Sequence, residues 1–200
     1  MSESSARFTF WAGPDDKDRR IVYASEFRPE YQVNGDEVMR RVEAVLTAYL
    51  AAGGTPTPVG WSSGWRPASV NEATANAGKL SNHLIANAGD KRDTPDGEFA
   101  WWCLQHGAVL AQHGLWMEHP VATVVRAWRT ARKAGRTPTP WCHLQRLAPA
   151  SGARAYFPDR SSVQEWADFQ AAGGKVGMAY SGWLALQDGA GEARAASEAP

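Results

Sequence analysis

Apolar residues recur at three- and four-residue steps between Gly35 and Ala52, where Val38, Val42, Val45, Leu46, Tyr49 and Leu50 fall on one face. That period predicts a helix, with Asn34 or Asp36 as its cap and Gly53-Gly54 as its stop. A second helical period runs from about Asp96 to His113, carrying Phe99, Trp102, Cys103, Val109 and Leu110, with Asp96 as cap and Gly114 as stop. Shorter helices are expected after Pro67, over Val121 to Lys133 with Val124, Val125 and Trp128 inward, and over Ser162 to Gln170. Trp141-Cys142-His143-Leu144-Gln145 alternates as a strand does. Strands are also expected near Trp61, at Leu115-Trp116-Met117 and at Ala155-Tyr156-Phe157, with an edge strand at Ile21-Val22-Tyr23. Residues 77–95 have the pattern of loop and short strand. Helices mixed with short, irregularly spaced strands fit an α+β fold, not a regular βαβ series. From Asp188 onward Gly, Ala, Glu and Ser dominate, which predicts a mobile tail after a single domain over 1–187.

Composition narrows the function. With 200 residues, 44% of them hydrophobic, the chain can bury the core of one ordinary domain. Lys+Arg and Asp+Glu are 21 each, and this balance argues against a nucleic-acid surface. No run approaches the roughly 18 apolar residues of a membrane span. Met1 to Arg7 is polar and lacks the pattern of a signal peptide, so synthesis in the cytoplasm is expected. Two cysteines, Cys103 and Cys142, fit a reducing compartment. Ten tryptophans supply core, or flat faces for sugars and peptides. A monomer is the expected state.

The densest polar chemistry lies in Ser81-Asn82-His83-Leu84-Ile85-Ala86-Asn87-Ala88-Gly89-Asp90. His83 and Asp90 can converge on one metal if a turn brings them together, and His143 offers a third ligand from its alternating strand. Zinc accepts imidazole nitrogen and carboxylate oxygen, and a catalytic site uses three protein ligands plus water. The bland alternative is a capped turn with an incidental histidine. His106 and His113 stand about 10 Å apart along a helix, a poor fit to one ion. His119 is a weaker substitute for His143. Gly60-Trp61-Ser62-Ser63-Gly64 matches a nucleophile elbow in letters, but Trp65-Arg66-Pro67 delays the helix an elbow needs. Arg126, Arg129, Arg132, Lys133 and Arg136 form either a solvated face or a grip for an anionic polymer. If His143 faces a metal, Cys142 faces the other way, into the core.

These residues resemble a family. Ser81-x-His83 followed by Ala88-x-Asp90 is similar to the Ser-x-His-x-x-Gly-x-Ala-x-Asp signature of zinc D-Ala-D-Ala carboxypeptidases and L-alanyl-D-glutamate endopeptidases. Upstream, Ser63-Gly64-Trp65-Arg66-Pro67 and Val70-Asn71 resemble its Ser-Gly-Tyr-Arg and Val-Asn segments; downstream, Trp141-Cys142-His143 resembles its Trp-x-His strand. The three matches occur in family order over roughly residues 36–146. Leu115 to Glu118 resembles a Leu-Trp-Met-Glu segment of phage-encoded murein peptidases.

The resemblance implies a hedgehog-like fold with a small antiparallel sheet and flanking helices. It implies zinc on His83, Asp90 and His143, Arg66 pairing with a substrate carboxylate, and Ser81 supporting the ligand set at the substrate side. The reaction implied is hydrolysis of a peptide bond in the peptidoglycan stem, by a phage or prophage protein acting on the wall after release or within a virion. Two positions depart from the pattern. Ala86 stands for the signature Gly, which is costly if its φ is positive. Pro140 stands three residues before His143, where the family carries an acidic general base. Glu118 is the best substitute for that base. The rival expectation is a non-catalytic murein-binding or virion-structural module that kept the fold and lost the base.

Overall fold

The computed structural model describes residues 3–12, 16–74 and 78–197. Its strands are β1 (Trp61–Ser63), β2 (Ala88–Arg92), β3 (Trp116–Glu118), β4 (Trp141–Gln145) and β5 (Ala155–Tyr156), in the sheet order β1-β2-β4-β3-β5. The first three pairings are antiparallel, whereas β3 and β5 run parallel. The sheet is therefore mixed, not purely antiparallel. Around it lie α1 (Glu3–Trp11), α2 (Arg19–Val22), α3 (Pro29–Ala51), α4 (Ala68–Ala73), α5 (Glu98–Gln105), α6 (Gly107–Gln112), α7 (Arg126–Ala134), α8 (Arg160–Ala171) and α9 (Tyr180–Ser197). This is an α+β architecture. No helix among the described residues is long and apolar enough to cross a membrane.

The helix expected from Gly35 begins earlier, because Pro29 fixes the first helical φ while Arg28 before it stays extended. Asn34 and Asp36 lie inside α3 and cap nothing; Asn34 instead donates to the Ile85 carbonyl at 2.9 Å. Gly35 is tolerated mid-helix because the Trp11 ring occupies the space a Cβ would take. The edge strand expected at Ile21-Val22-Tyr23 is instead the helical turn α2, capped by Asp18, with Ile21 and Val22 exposed. The helix expected over Asp96 to His113 is broken at His106, whose ring stacks on Trp102 at 4.2 Å and bonds the Trp102 carbonyl. Asp96 does not cap α5: Asp93 accepts the N–H groups of Phe99 and Ala100, and Asp96 accepts that of Tyr180. The expected helix from Val121 opens as a buried π-helical turn, Val121–Val125, before α7. Backbone from Asp188 to Ser197 belongs to α9, and the final residues of the expected tail, 198–200, lie outside the described residues.

Alternation gives the sheet two characters. Cys142 and Leu144 of β4 and Met117 of β3 are fully buried in the apolar core. Trp65, Trp101, Trp128, Phe10 and Phe99 fill that core, so most tryptophan here is packing. The intervening residues of β2, β3 and β4 point to the opposite face, where the polar chemistry collects.

Candidate metal centre and its cleft

Asp90 and His143 are direct partners in the β2–β4 ladder, so their side chains leave the same face of the sheet side by side. His83 reaches them from a 3-10 turn, Asn82–Ile85, whose start is capped by Ser81 accepting the His83 N–H at 3.3 Å. The turn is held against the strand segment after β1. Arg66 N–H donates to the His83 carbonyl at 3.0 Å, and the Trp65 indole donates to the Leu84 carbonyl at 3.1 Å. His83 Nδ1–H donates to the Gly64 carbonyl at 2.6 Å. Gly64 is required there, since a Cβ would strike Phe10.

His83, Asp90 and His143 are all buried, and one ligand atom from each lies within 4.8 Å of the others. Asp90 Oδ1 is 2.8 Å from His143 Nδ1 and 3.5 Å from His83 Nε2. Bonds of about 2.0–2.1 Å separate neighbouring ligands of a tetrahedral ion by about 3.3 Å, so the spacing fits. The outer nitrogens fit as well: His83 Nδ1 is bound to Gly64 O, and His143 Nε2 lies 3.3 Å from Gln145 Oε1. Each imidazole is thus anchored through one nitrogen and turns the other to the cluster, as metal-holding histidines do. These three residues are positioned to hold a metal ion.

Charge is balanced within the cluster. Burial alone would raise the Asp90 carboxyl, but the His83 and His143 imidazoles hold it well below the usual carboxylate range. Burial disfavours protonated His143, yet the Glu118 charge and the Asp90 hydrogen bond outweigh it and lift the imidazole to about 9. Arg66 Nη2 stands 3.9 Å from Asp90 Oδ2 and donates to Ser63 Oγ at 3.2 Å, while Nη1 donates to Asn71 Oδ1 at 3.3 Å, which fixes the guanidinium at the edge of the cluster.

The cluster opens into a cleft of about 610 Å³ lined also by Arg66, Ser81, Glu118, Arg126 and Tyr156. His83, Asp90, His143, Arg66, Ser81 and Glu118 therefore border one space. No described protein-family model, curated protein or solved structure matches this chain.

Other sequence expectations resolve differently. His119 does not join the cluster. It is buried against Phe157 and Trp166 with ring centroids at 4.6 and 4.5 Å, its Nδ1 accepts the Val121 N–H, and burial lowers it to about 4. Ser62 sits within β1 and donates to the Asp90 carbonyl, with α4 beginning only at Ala68, so no nucleophile elbow exists there. Pro140 offers only its carbonyl, which accepts the Asp93 N–H. Cys142 is buried on the core side beside Cys103. Arg126 and Arg129 pair with Glu165, and Arg132 with Asp188. Ala86 does adopt a left-handed φ of 55°. Gln145 and Tyr156, expected only as strand residues, also line the cleft. Gln145 stands two positions beyond His143 on an alternating strand, a spacing that puts both on one face.

Proposed function

We propose that this chain is a zinc-dependent peptidase that hydrolyses a peptide bond in the peptidoglycan stem, built on the hedgehog-like fold of the family it resembles. The observation that carries the reading is the meeting of His83, Asp90 and His143 at the head of a cleft, with the Arg66 backbone bound to the His83 turn. Two imidazoles and one carboxylate, with room left for water, suit zinc. A zinc ion held by His83, Asp90 and His143 would supply a Lewis acid for the scissile carbonyl and lower the pKa of a water toward about 7. The chain's own residues do the rest. Arg66, its guanidinium preset by Ser63 and Asn71, holds a substrate carboxylate through a planar fork. Ser81 keeps the His83 turn in place at the substrate side. Glu118, one residue past the last β3–β4 pair, borders the same cleft as His143 and takes a proton at its carboxylate. Such a protein is made in the cytoplasm by a phage or prophage and meets the wall after release or within a virion.

A second reading, a wall-binding or virion-structural module without catalysis, is favoured by Pro140, which removes the acid from its usual position. Incubation of the zinc-loaded protein with purified sacculi separates the two. The peptidase reading expects soluble stem-peptide fragments, lost in His83→Ala and reduced about 10²- to 10⁴-fold in Glu118→Gln. Wall binding with no fragments supports the module. Normal turnover by metal-free His83→Ala refutes the zinc reading.

A further inference from the structure

An imidazole holds a metal through the nitrogen that lacks a proton, and the hydrogen bond at its other nitrogen decides which one that is. For His83 the deciding group is a backbone carbonyl, that of Gly64. For His143 it is a side chain. The Gln145 amide is held at both ends: its Nε2 donates to the Leu147 carbonyl at 2.6 Å, and its Oε1 accepts the Tyr156 hydroxyl at 2.7 Å. An amide nitrogen committed to a carbonyl leaves only the oxygen to face His143 Nε2, 3.3 Å away. A flipped amide would set its oxygen against the Leu147 carbonyl oxygen. Gln145 is buried to 3% exposure, so bulk water does not stand in for either partner.

We propose that Gln145, locked by Tyr156 and the Leu147 carbonyl, is a positioning residue that makes His143 present Nδ1, and thereby sets the metal affinity of the centre. This rests on the zinc reading above. Tyr156 belongs to β5, the edge strand paired parallel to β3, and lies opposite Glu118 in that ladder. The affinity of the centre accordingly depends on an edge strand that supplies none of the three ligands.

The test is the zinc Kd of chelator-stripped protein, measured by competition with a chromogenic chelator. It is paired with long-range proton–nitrogen correlation of the zinc-loaded protein to read which His143 nitrogen carries the proton. Gln145→Leu is expected to weaken zinc about 10- to 100-fold and to lose the single Nε2–H form, as loss of an outer hydrogen bond does. Gln145→Glu, which keeps an acceptor oxygen for His143 but loses the bond to the Leu147 carbonyl, is expected to lose less zinc affinity than Gln145→Leu, staying within about tenfold of the unsubstituted protein. Tyr156→Phe, which loosens the lock and leaves the amide, is expected to weaken zinc about 3- to 10-fold. Unchanged affinity in Gln145→Leu overturns the proposal, as does an equal loss in Gln145→Glu. Should Gln145→Leu fail to fold, unchanged affinity in Tyr156→Phe overturns it instead. Insensitive variants of a protein that does bind zinc sink this inference alone, whereas an unsubstituted protein that takes up no zinc sinks the metal reading with it.

Discussion

Asp90 and Asp93 are two buried carboxylates three residues apart, at 8% and 4% exposure, and their surroundings treat them in opposite ways. Three residues along an extended chain reverse the side-chain direction, so Asp90 enters the cleft and Asp93 enters the core beneath α5. Asp90 meets two imidazoles and, at longer range, Arg66, and its carboxyl is held well below the usual range. Asp93 meets the N–H groups of Thr94, Phe99 and Ala100; burial outweighs those donors and the Lys91 charge, and raises it to about 6. Burial is common to both. What separates a candidate ligand from a helix-anchoring group is how directly charge reaches it: two imidazoles contact the Asp90 carboxylate, whereas Asp93 is hydrogen-bonded by neutral N–H groups and feels the Lys91 charge only through space.

Removing the two carboxylates should therefore differ most in its effect on zinc. Asp90→Ala is expected to weaken zinc more than about 100-fold, beyond the loss typical of a residue that only supports a ligand, and to cost the metal-free protein the stability that the paired Asp90 charge supplies at neutral pH. Chelator competition and the melting temperature of the stripped protein read the two effects. Asp93→Ala is expected to lower stability and spare zinc binding. It strands three buried N–H donors and should cost about 3 kcal/mol, seen as a drop of about 10 °C in Tm. Its zinc affinity should stay within about threefold of the unsubstituted protein.

The pH dependence sharpens the contrast. Folded Asp93 keeps its proton up to about pH 6, the unfolded chain only to 3.8, so the folded state binds more protons between those values. Its contribution is greatest below 3.8 and is lost as pH rises to 6, by about 2–3 kcal/mol. Asp90 has the opposite sign: its contribution is present above the ordinary carboxylate value and lost as pH falls below it. His119, lowered from 6.5 to about 4, also loses its contribution on acidification and partly masks Asp93. Denaturant melts of metal-free protein from pH 4 to 6.5 should thus differ in slope between the unsubstituted chain and Asp93→Asn; parallel curves would contradict the assignment. The smallest effect concerns the backbone between His83 and Asp90. Ala86→Gly relieves a left-handed φ worth about 1–2 kcal/mol but removes a buried methyl worth about 0.8 kcal/mol. Stability should change by less than about 1 kcal/mol, with metal affinity preserved.

How much of this was legible in the chain varies with the range of the contacts involved. The alternation of Trp141 to Gln145 shows that His143 and Cys142 face apart, and it places Gln145 beside His143. The apolar period over α3 is equally local. The Asp90–His143 register is not local: it joins residues from two strands far apart in sequence, and no spacing within either strand prescribes it. The place of Tyr156 in the cleft was invisible for the same reason, since it arises by pairing β5 parallel to β3. The break at His106 comes from one ring stacking on Trp102, a contact that the helical period does not register. Ile21-Val22-Tyr23 has β-forming letters, yet Asp18 capping Arg20 turns it into a helical turn with two apolar side chains in solvent.

The most direct test is the zinc content of the protein as purified without added metal, by elemental mass spectrometry, beside that of Asp90→Ala. About one zinc per chain, absent from the variant, is the predicted result for a three-ligand site. No zinc in the unsubstituted protein, with none taken up on incubation, would contradict the metal centre.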